Sequence, residues 1–241
     1  MIETLCEGIV INKRDFGEAD RILDVFTGEY GKLTLTVPGI RKSRKRDLPA
    51  ADMLSRSEFA LRKKAGGFGL LRFTLIDSYG AIRERSDSFE TALCLLAILN
   101  RFPLTGEKNH RLYDLTRKTL DRLKTESDRR LERLLLLWYL HRVIGEEGFR
   151  VDTEKKGDYL SLARSAFTKE KSDESCIFTG AGARQILDKL NGGRTKELVS
   201  DEAKTEIKDI GEVIGLYEKY INYHLGINLQ FQNYLIGGQY D

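Results

Sequence analysis

Five of the six residues in Arg41-Lys42-Ser43-Arg44-Lys45-Arg46 are cations, and the theme returns at Arg62-Lys63-Lys64 and Arg72. Guanidinium and ammonium groups at this density repel one another until a polyanion neutralises them. The chemistry open to them is phosphate binding with release of counterions. The whole chain of 241 residues holds 40 Lys+Arg against 37 Asp+Glu, net +3. Residues 41–72 hold 10 basic and 3 acidic side chains, whereas residues 1–40 hold 4 and 7. The surplus is therefore local. A solubilising loop is the alternative for one such run; its recurrence at Arg62-Lys63-Lys64 favours a phosphate-binding surface. Lys32 adds an ammonium on the strand face opposite Leu33, Leu35 and Val37, where Thr34 and Thr36 can also donate. The candidate phosphate-contacting set is Arg14, Lys32, Arg41, Lys42, Arg44, Lys45, Arg46, Arg62, Lys63 and Lys64. Phe16, Tyr30 and Phe68 lie in predicted turns, where a ring can stack on a base unless it folds back on the core. If about six phosphates are neutralised, log K falls with log salt at a slope near −4 for a single strand.

Catalytic tools are missing by comparison. The chain has no GxxxxGK[ST] phosphate loop and no HExxH zinc motif. Gly180-Ala181-Gly182-Ala183 reads as a helix start, since it lacks a full GxGxxG and follows no clear strand. His110 and His224 read as exposed helix residues, and His141 as a boundary residue of an apolar helix. Cys6, Cys94 and Cys176 form no CxxC, which argues against a disulfide scaffold and a structural zinc site. The expectation is a binding protein, not an enzyme, with no metal or other cofactor. The longest apolar run is the eight residues from Ala92 to Leu99, short of a membrane span, and no signal peptide is visible. No membrane partner and a cytoplasmic location are expected.

The elements that must position these groups change character along the chain. Gly8 to Lys13, Arg21 to Thr27, Leu33 to Val37, Glu58 to Lys64 and Leu70 to Ile76 read as five strands. In the last of them Leu71, Phe73 and Leu75 share one face. Five strands in so short a segment predict a small closed barrel, most economically an OB-fold, with an SH3-like barrel as competitor. From Ser86 onward the apolar period is helical, with helices through Leu93, through Leu115 and through Leu134 to Leu140. The last is apolar on every side and is predicted to be the packed hub. Residues 148–181 show no sustained period and read as an irregular insertion. A short helix near Ala183–Leu190 and a long one after Ser200 complete the chain. The expected class is α+β: an OB-fold domain at 1–80, then a mostly helical domain at 81–241.

The order of residues in the first segment resembles a known family. Glu7-Gly8-Ile9-Val10, Arg14-Asp15-Phe16-Gly17-Glu18-Ala19-Asp20-Arg21-Ile22-Leu23, Phe26-Thr27, Gly31-Lys32, Gly39 and Arg41 look like the N-terminal signature of RecO. Phe16 stands where that family usually has Tyr. Downstream, Arg129-Arg130-Leu131, Gly145-Glu146-Glu147-Gly148-Phe149 and Phe178-Thr179-Gly180 are similar in pattern. The resemblance implies a DNA repair and recombination mediator that binds single- and double-stranded DNA through its OB-fold and anneals complementary strands. It implies RecR as a partner, docking on the C-terminal tail of single-stranded DNA-binding protein, and, indirectly, loading of RecA. Many members carry a four-cysteine zinc motif in the middle segment, where this chain has only Cys176. For an acidic tail ending in an apolar residue, Arg129, Arg130 and Arg133 beside the Leu-rich helix are the candidate docking cations, or equally a solvated helix face. Judged on residues alone, an RNA-binding OB protein of translation or ribosome assembly is the other reading.

Overall fold

The computed structural model describes residues 3–43, 48–102, 107–200 and 205–235. Arg44, Lys45 and Arg46 lie outside the described residues. The chain divides into two compact units, Met1–Thr125 and Glu126–Asp241.

In the first unit β1 (Glu3–Phe16), β2 (Asp20–Thr27), β3 (Gly31–Val37), β4 (Arg56–Lys64) and β5 (Gly67–Asp77) form an antiparallel sheet in the order β3-β2-β1-β4-β5. β1 is long enough to serve two partners: Glu3 to Ile9 pair with β4, and Gly8 to Phe16 pair with β2. At the changeover Gly8 lies against Val25, where a Cβ would overlap that side chain. A register shift between Val10 and Asn12 lets Ile9, Val10 and Ile11 all be buried in succession. Val10 joins the core of Leu23, Val25, Leu35, Val37, Phe59 and Leu61. The strand order is OB-like, but the described strands form no hydrogen-bonded ladder between β3 and β5. The barrel expected from sequence is therefore not closed by backbone pairing. The seam is bridged instead by Tyr30, whose ring lies 4.7 Å from that of Phe68, both packed on the core.

A second bulge corrects the reading of β5. Ala60 pairs with Arg72 and Leu61 with Leu70, so Leu71 is the extra residue and the inward parity switches there. Leu70 and Phe73 face the core, and Leu71 is 41% exposed. Helices α1 (Gly80–Arg83), α2 (Ser86–Arg101) and α3 (His110–Leu123) belong to the same compact unit as the sheet, which thus runs past residue 80 to Thr125. Asn100 Nδ2 donates to the Ile11 carbonyl at 2.8 Å, and Tyr113 packs on Phe26 at 6.1 Å between ring centroids.

In the second unit α4 (Arg129–Glu146) is capped by Asp128, which accepts from the amides of Arg130 and Leu131. It packs against α7 (Ile207–Leu225), which Gly226 ends at φ 62°. Leu135 and Trp138 are only half-buried, so α4 is not enclosed on every side as its sequence suggests. The segment read as irregular contains a three-stranded antiparallel sheet, β6 (Tyr159–Ser161), β7 (Ala166–Thr168) and β8 (Cys176–Phe178), in the order β7-β6-β8. Strands of three residues are too short to show a period. Arg184 fastens this sheet to α5 (Ala181–Asn191) by donating to the carbonyls of Lys155 and Gly157 and lying over the Phe167 ring at 4.4 Å. Gly180 and Gly182 do start a helix. A Cβ on Gly182 would strike the Asp209 carboxylate of α7, and the Gly180 amide donates to Glu212 Oε1 at 2.6 Å. α6 (Lys196–Val199) precedes α7.

His224 is not the exposed helix residue expected; its ring lies 4.7 Å from Phe149 and 4.3 Å from Tyr220. His141 bonds Tyr217 Oη at 2.9 Å, and burial, with Arg150 and Arg142 adding repulsion, pushes its pKa down to about 4. The unfolded chain then takes up the proton first, near pH ~6.5. The stability that neutral His141 contributes is complete above that value and is lost as pH falls towards 4. Urea midpoints should therefore fall more steeply between pH ~7 and ~4.5 for the natural chain than for a His141→Gln variant. Parallel profiles would contradict this.

Candidate nucleic-acid interface

β1 separates what the sequence places together. Its start pairs with the end of β4 (Glu3 opposite Arg62), and its end pairs with the start of β2 (Phe16 opposite Asp20). Fourteen residues at about 3.3 Å each make this roughly 45 Å of chain path. Arg41 and Lys42 sit at one end of the strand and Arg62, Lys63 and Lys64 at the other.

At the β1–β2 end the cations meet carboxylates. The Arg41 amide donates to the Ala19 carbonyl at 3.0 Å, tying the 3-10 turn Ile40–Lys42 to the hairpin. The Arg41 guanidinium lies 3.3 Å from Asp15 and donates to the Gly17 carbonyl at 3.2 Å. Lys42 lies 3.1 Å from Glu18, Arg21 3.2 Å from Asp15, and Lys13 pairs with Asp52. Arg14 reaches Asp24 at 3.3 Å, and the same carboxylate accepts from Asn12 and Thr34. Pairs this exposed are worth ~0–1 kcal/mol each, so a phosphate can displace the carboxylate. They are cations at a discount. Phe16 stands beside them at the hairpin tip, 59% exposed.

Lys32 does not face open solvent. Its ammonium donates to the carbonyls of Asn100 at 2.8 Å and Phe102 at 3.1 Å, capping the end of α2. Partial burial holds its pKa below the usual lysine value, with nearby Asp24 pulling the other way. Strand alternation put it outside the barrel correctly, but α2 arrives on that outer face. The Tyr30 and Phe68 rings, half-buried and packed on each other, are engaged at the sheet seam. Of the three stacking candidates only Phe16 presents a ring that is mostly exposed.

At the β4–β5 end the balance differs. Lys63 and Lys64 are exposed on a hairpin whose tip needs Gly66 and Gly67 at φ 86° and 146°. The Lys64 stem lies over Gly69, where any side chain would collide with it. Glu3 is taken by Arg72 at 2.5 Å, and Arg62 is half-buried. Among the described residues no carboxylate pairs with Lys63 or Lys64. Among the described members of the predicted set these two lysines are exposed and carry no carboxylate partner.

The tail-docking candidates of the second unit are placed otherwise. Arg133 is buried, at 5% exposure, which removes it from the surface. The Arg130 guanidinium donates to the carbonyls of Leu198 at 2.7 Å and Thr205 at 3.1 Å, joining α4 to the chain around α6. Arg129 is half-buried. A run of arginines at a helix start looks solvated in sequence; here Arg133 is buried and Arg130 is bonded to backbone carbonyls of the same unit.

Fold and charge layout define an OB-like β-domain extended by helices, followed by a second unit built on α4 and α7. Residues 1–79 match the family model described as Recombination protein O N terminal. The chain is 26% identical over 159 residues to a DNA repair protein RecO of Mycoplasma mycoides, covering 65% of this chain and 63% of that one. It is 27% identical over 114 residues to that of Desulfitobacterium hafniense, covering 47% and 42%. With that of Acetivibrio thermocellus it shares 24% identity over 225 residues, 88% and 89% of the two chains. The chain thus spans about two fifths to just under two thirds of the length of the first two relatives. It is similar to the RecO family, most clearly over residues 1–79.

The two kinds of lysine separate in experiment. Lys32→Gln should lower the denaturation midpoint while leaving the salt dependence of single-strand binding unchanged. Joint Lys63→Gln and Lys64→Gln should leave stability intact and reduce the log K against log salt slope by about 1.4, at ~0.7 per lost contact. The reverse pattern would refute the assignment.

Proposed function

We propose that the protein is a DNA-binding mediator of recombinational repair, and that its open positive charge at the β4–β5 hairpin is a primary contact for single-stranded DNA. The observation that carries this reading is the exposed Lys63–Lys64 pair with no carboxylate partner among the described residues, on a domain that matches the Recombination protein O N-terminal model and is similar to proteins named DNA repair protein RecO. Contacts of this kind go to phosphates, so they gather strands without reading their sequence. The second cluster, Arg14, Arg41 and Lys42, lies at the far end of β1. Two clusters so separated can hold two segments at once and raise their effective concentration, which is what annealing requires. Arg44, Lys45 and Arg46 follow Lys42 in sequence and lie outside the described residues.

The same reading extends to double-stranded DNA, to partnership with RecR, and to docking on the C-terminal tail of single-stranded DNA-binding protein, so that RecA is loaded on the uncovered strand. Its support is the match of residues 1–79 to the Recombination protein O N-terminal model and the similarity to proteins named DNA repair protein RecO. It is a binding function: strands and proteins are brought together and no bond is made or broken.

Annealing of complementary oligonucleotides, bare and then coated with single-stranded DNA-binding protein, tests it. The natural chain should accelerate both. Reversal of Arg41, Lys42, Arg44, Lys45 and Arg46 to Glu should abolish annealing with the fold retained. Unchanged annealing in that variant, or displacement of single-stranded DNA by structured RNA at equal concentration, would overturn the reading.

A further inference from the structure

Helix α3 sorts its charges by flank. At 100° per residue, Arg111, Lys118 and Arg122 fall within roughly 20° of one line along the helix. Asp114, Arg117 and Asp121 fall on a flank ~60–120° away. There Arg117 takes both carboxylates, Asp114 at 3.7 Å and Asp121 at 3.0 Å. The opposite side, with Leu112, Tyr113, Thr116, Leu120 and Leu123, is buried. The acids of the helix are thus neutralised away from the ridge, and Arg111, Lys118 and Arg122 are all exposed. Among the described residues neither Arg111 nor Lys118 meets a carboxylate. Eleven residues at about 1.5 Å each make the ridge roughly 16 Å long.

The ridge begins beside the hairpin site. The Asn109 amide donates to the Gly28 carbonyl at 2.9 Å, and His110 lies so close that a Cβ on Gly28 would come within 2.8 Å of its Nδ1. Gly28 opens the β2–β3 turn that ends in Tyr30, whose ring meets Phe68 at 4.7 Å. Phe68 pairs in register with Lys63. Lysines, aromatic pair, turn and helix therefore follow one another by direct contacts within a single compact unit.

We propose that α3 is a phosphate track. One single strand of DNA that enters at Lys63 and Lys64 continues past the β2–β3 turn and lays its backbone along Arg111, Lys118 and Arg122. The inference rests on the functional reading above and adds a helical surface to it. Rows of cations on a helix recognise the polyanion and not its bases, so the track serves any sequence.

The test uses the full chain and oligothymidylates of increasing length. A triple Arg111→Gln, Lys118→Gln, Arg122→Gln variant should shorten the occluded length and reduce the log K against log salt slope by about 2, from three contacts at ~0.7 each. A control variant, Lys156→Gln, Lys169→Gln, Lys171→Gln, removes the same charge from exposed positions of the second unit and should change neither. An unchanged slope in the ridge variant, or an equal loss in the control, would overturn the track. The charge-keeping variant Arg111→Lys, Lys118→Arg, Arg122→Lys should retain the slope; its loss there would assign these residues a structural role and overturn the track as well. Failure of the natural chain to bind any oligothymidylate would instead reject the functional reading itself.

Discussion

One strand with two partners sets the layout of this protein's first unit. β1 pairs with β4 through its first half and with β2 through its second, and Gly8 makes the changeover by letting Val25 close on the backbone. Because a strand is extended, the hairpins at its two ends are held far apart. Among the described residues Arg14, Arg41 and Lys42 then belong to one end, Lys63 and Lys64 to the other, and Lys32 to the outer face between them. The bulge near Ile11 turns three successive apolar residues to burial, and α2 settles on the face this creates. Sheet, helices and charge layout all descend from that pairing.

Charge at the two ends differs in kind. The β1–β2 hairpin supplies Asp15 and Glu18 to Arg41 and Lys42, so a phosphate arriving there must displace a carboxylate. Each displacement costs little at the surface, but it is a cost. Lys63 and Lys64 have no such neighbour among the described residues and gain the whole of the new interaction. On the proposed function, an incoming strand would be held first where nothing has to be given up. The paired cluster can then act as a weaker second hold, suited to a segment that must be released when strands zip together.

Much of the architecture was legible in residue order. Alternation in Leu33-Thr34-Leu35-Thr36-Val37 marks β3, and the five strands, the helical remainder and the start of α5 at Gly180-Ala181 all follow from local pattern. What escaped had non-local causes. Lys32 alternates outward as a free side chain would, and only the arrival of α2, some seventy residues on, supplies the carbonyls that take it. Leu71 reads as a core residue because a period of two does not announce the bulge that ejects it. The Arg62–Lys64 and Arg41–Arg46 runs read as one window because sequence distance hides strand register. Arg133 looks solvated until α4 finds its neighbours. Arg111, Lys118 and Arg122 were visible in principle, at spacings of seven and four, once a helix is assigned to them.

The central claim is that the β4–β5 hairpin lysines meet the DNA backbone while Lys32 belongs to the fold. Lysine acetylation, read residue by residue with and without saturating oligothymidylate, tests it directly. Lys63 and Lys64 should react readily in the free protein and be protected by the strand, and Lys32 should react slowly in both states. Lys63 and Lys64 equally reactive with and without DNA, alongside a Lys32 that DNA protects, would contradict the account.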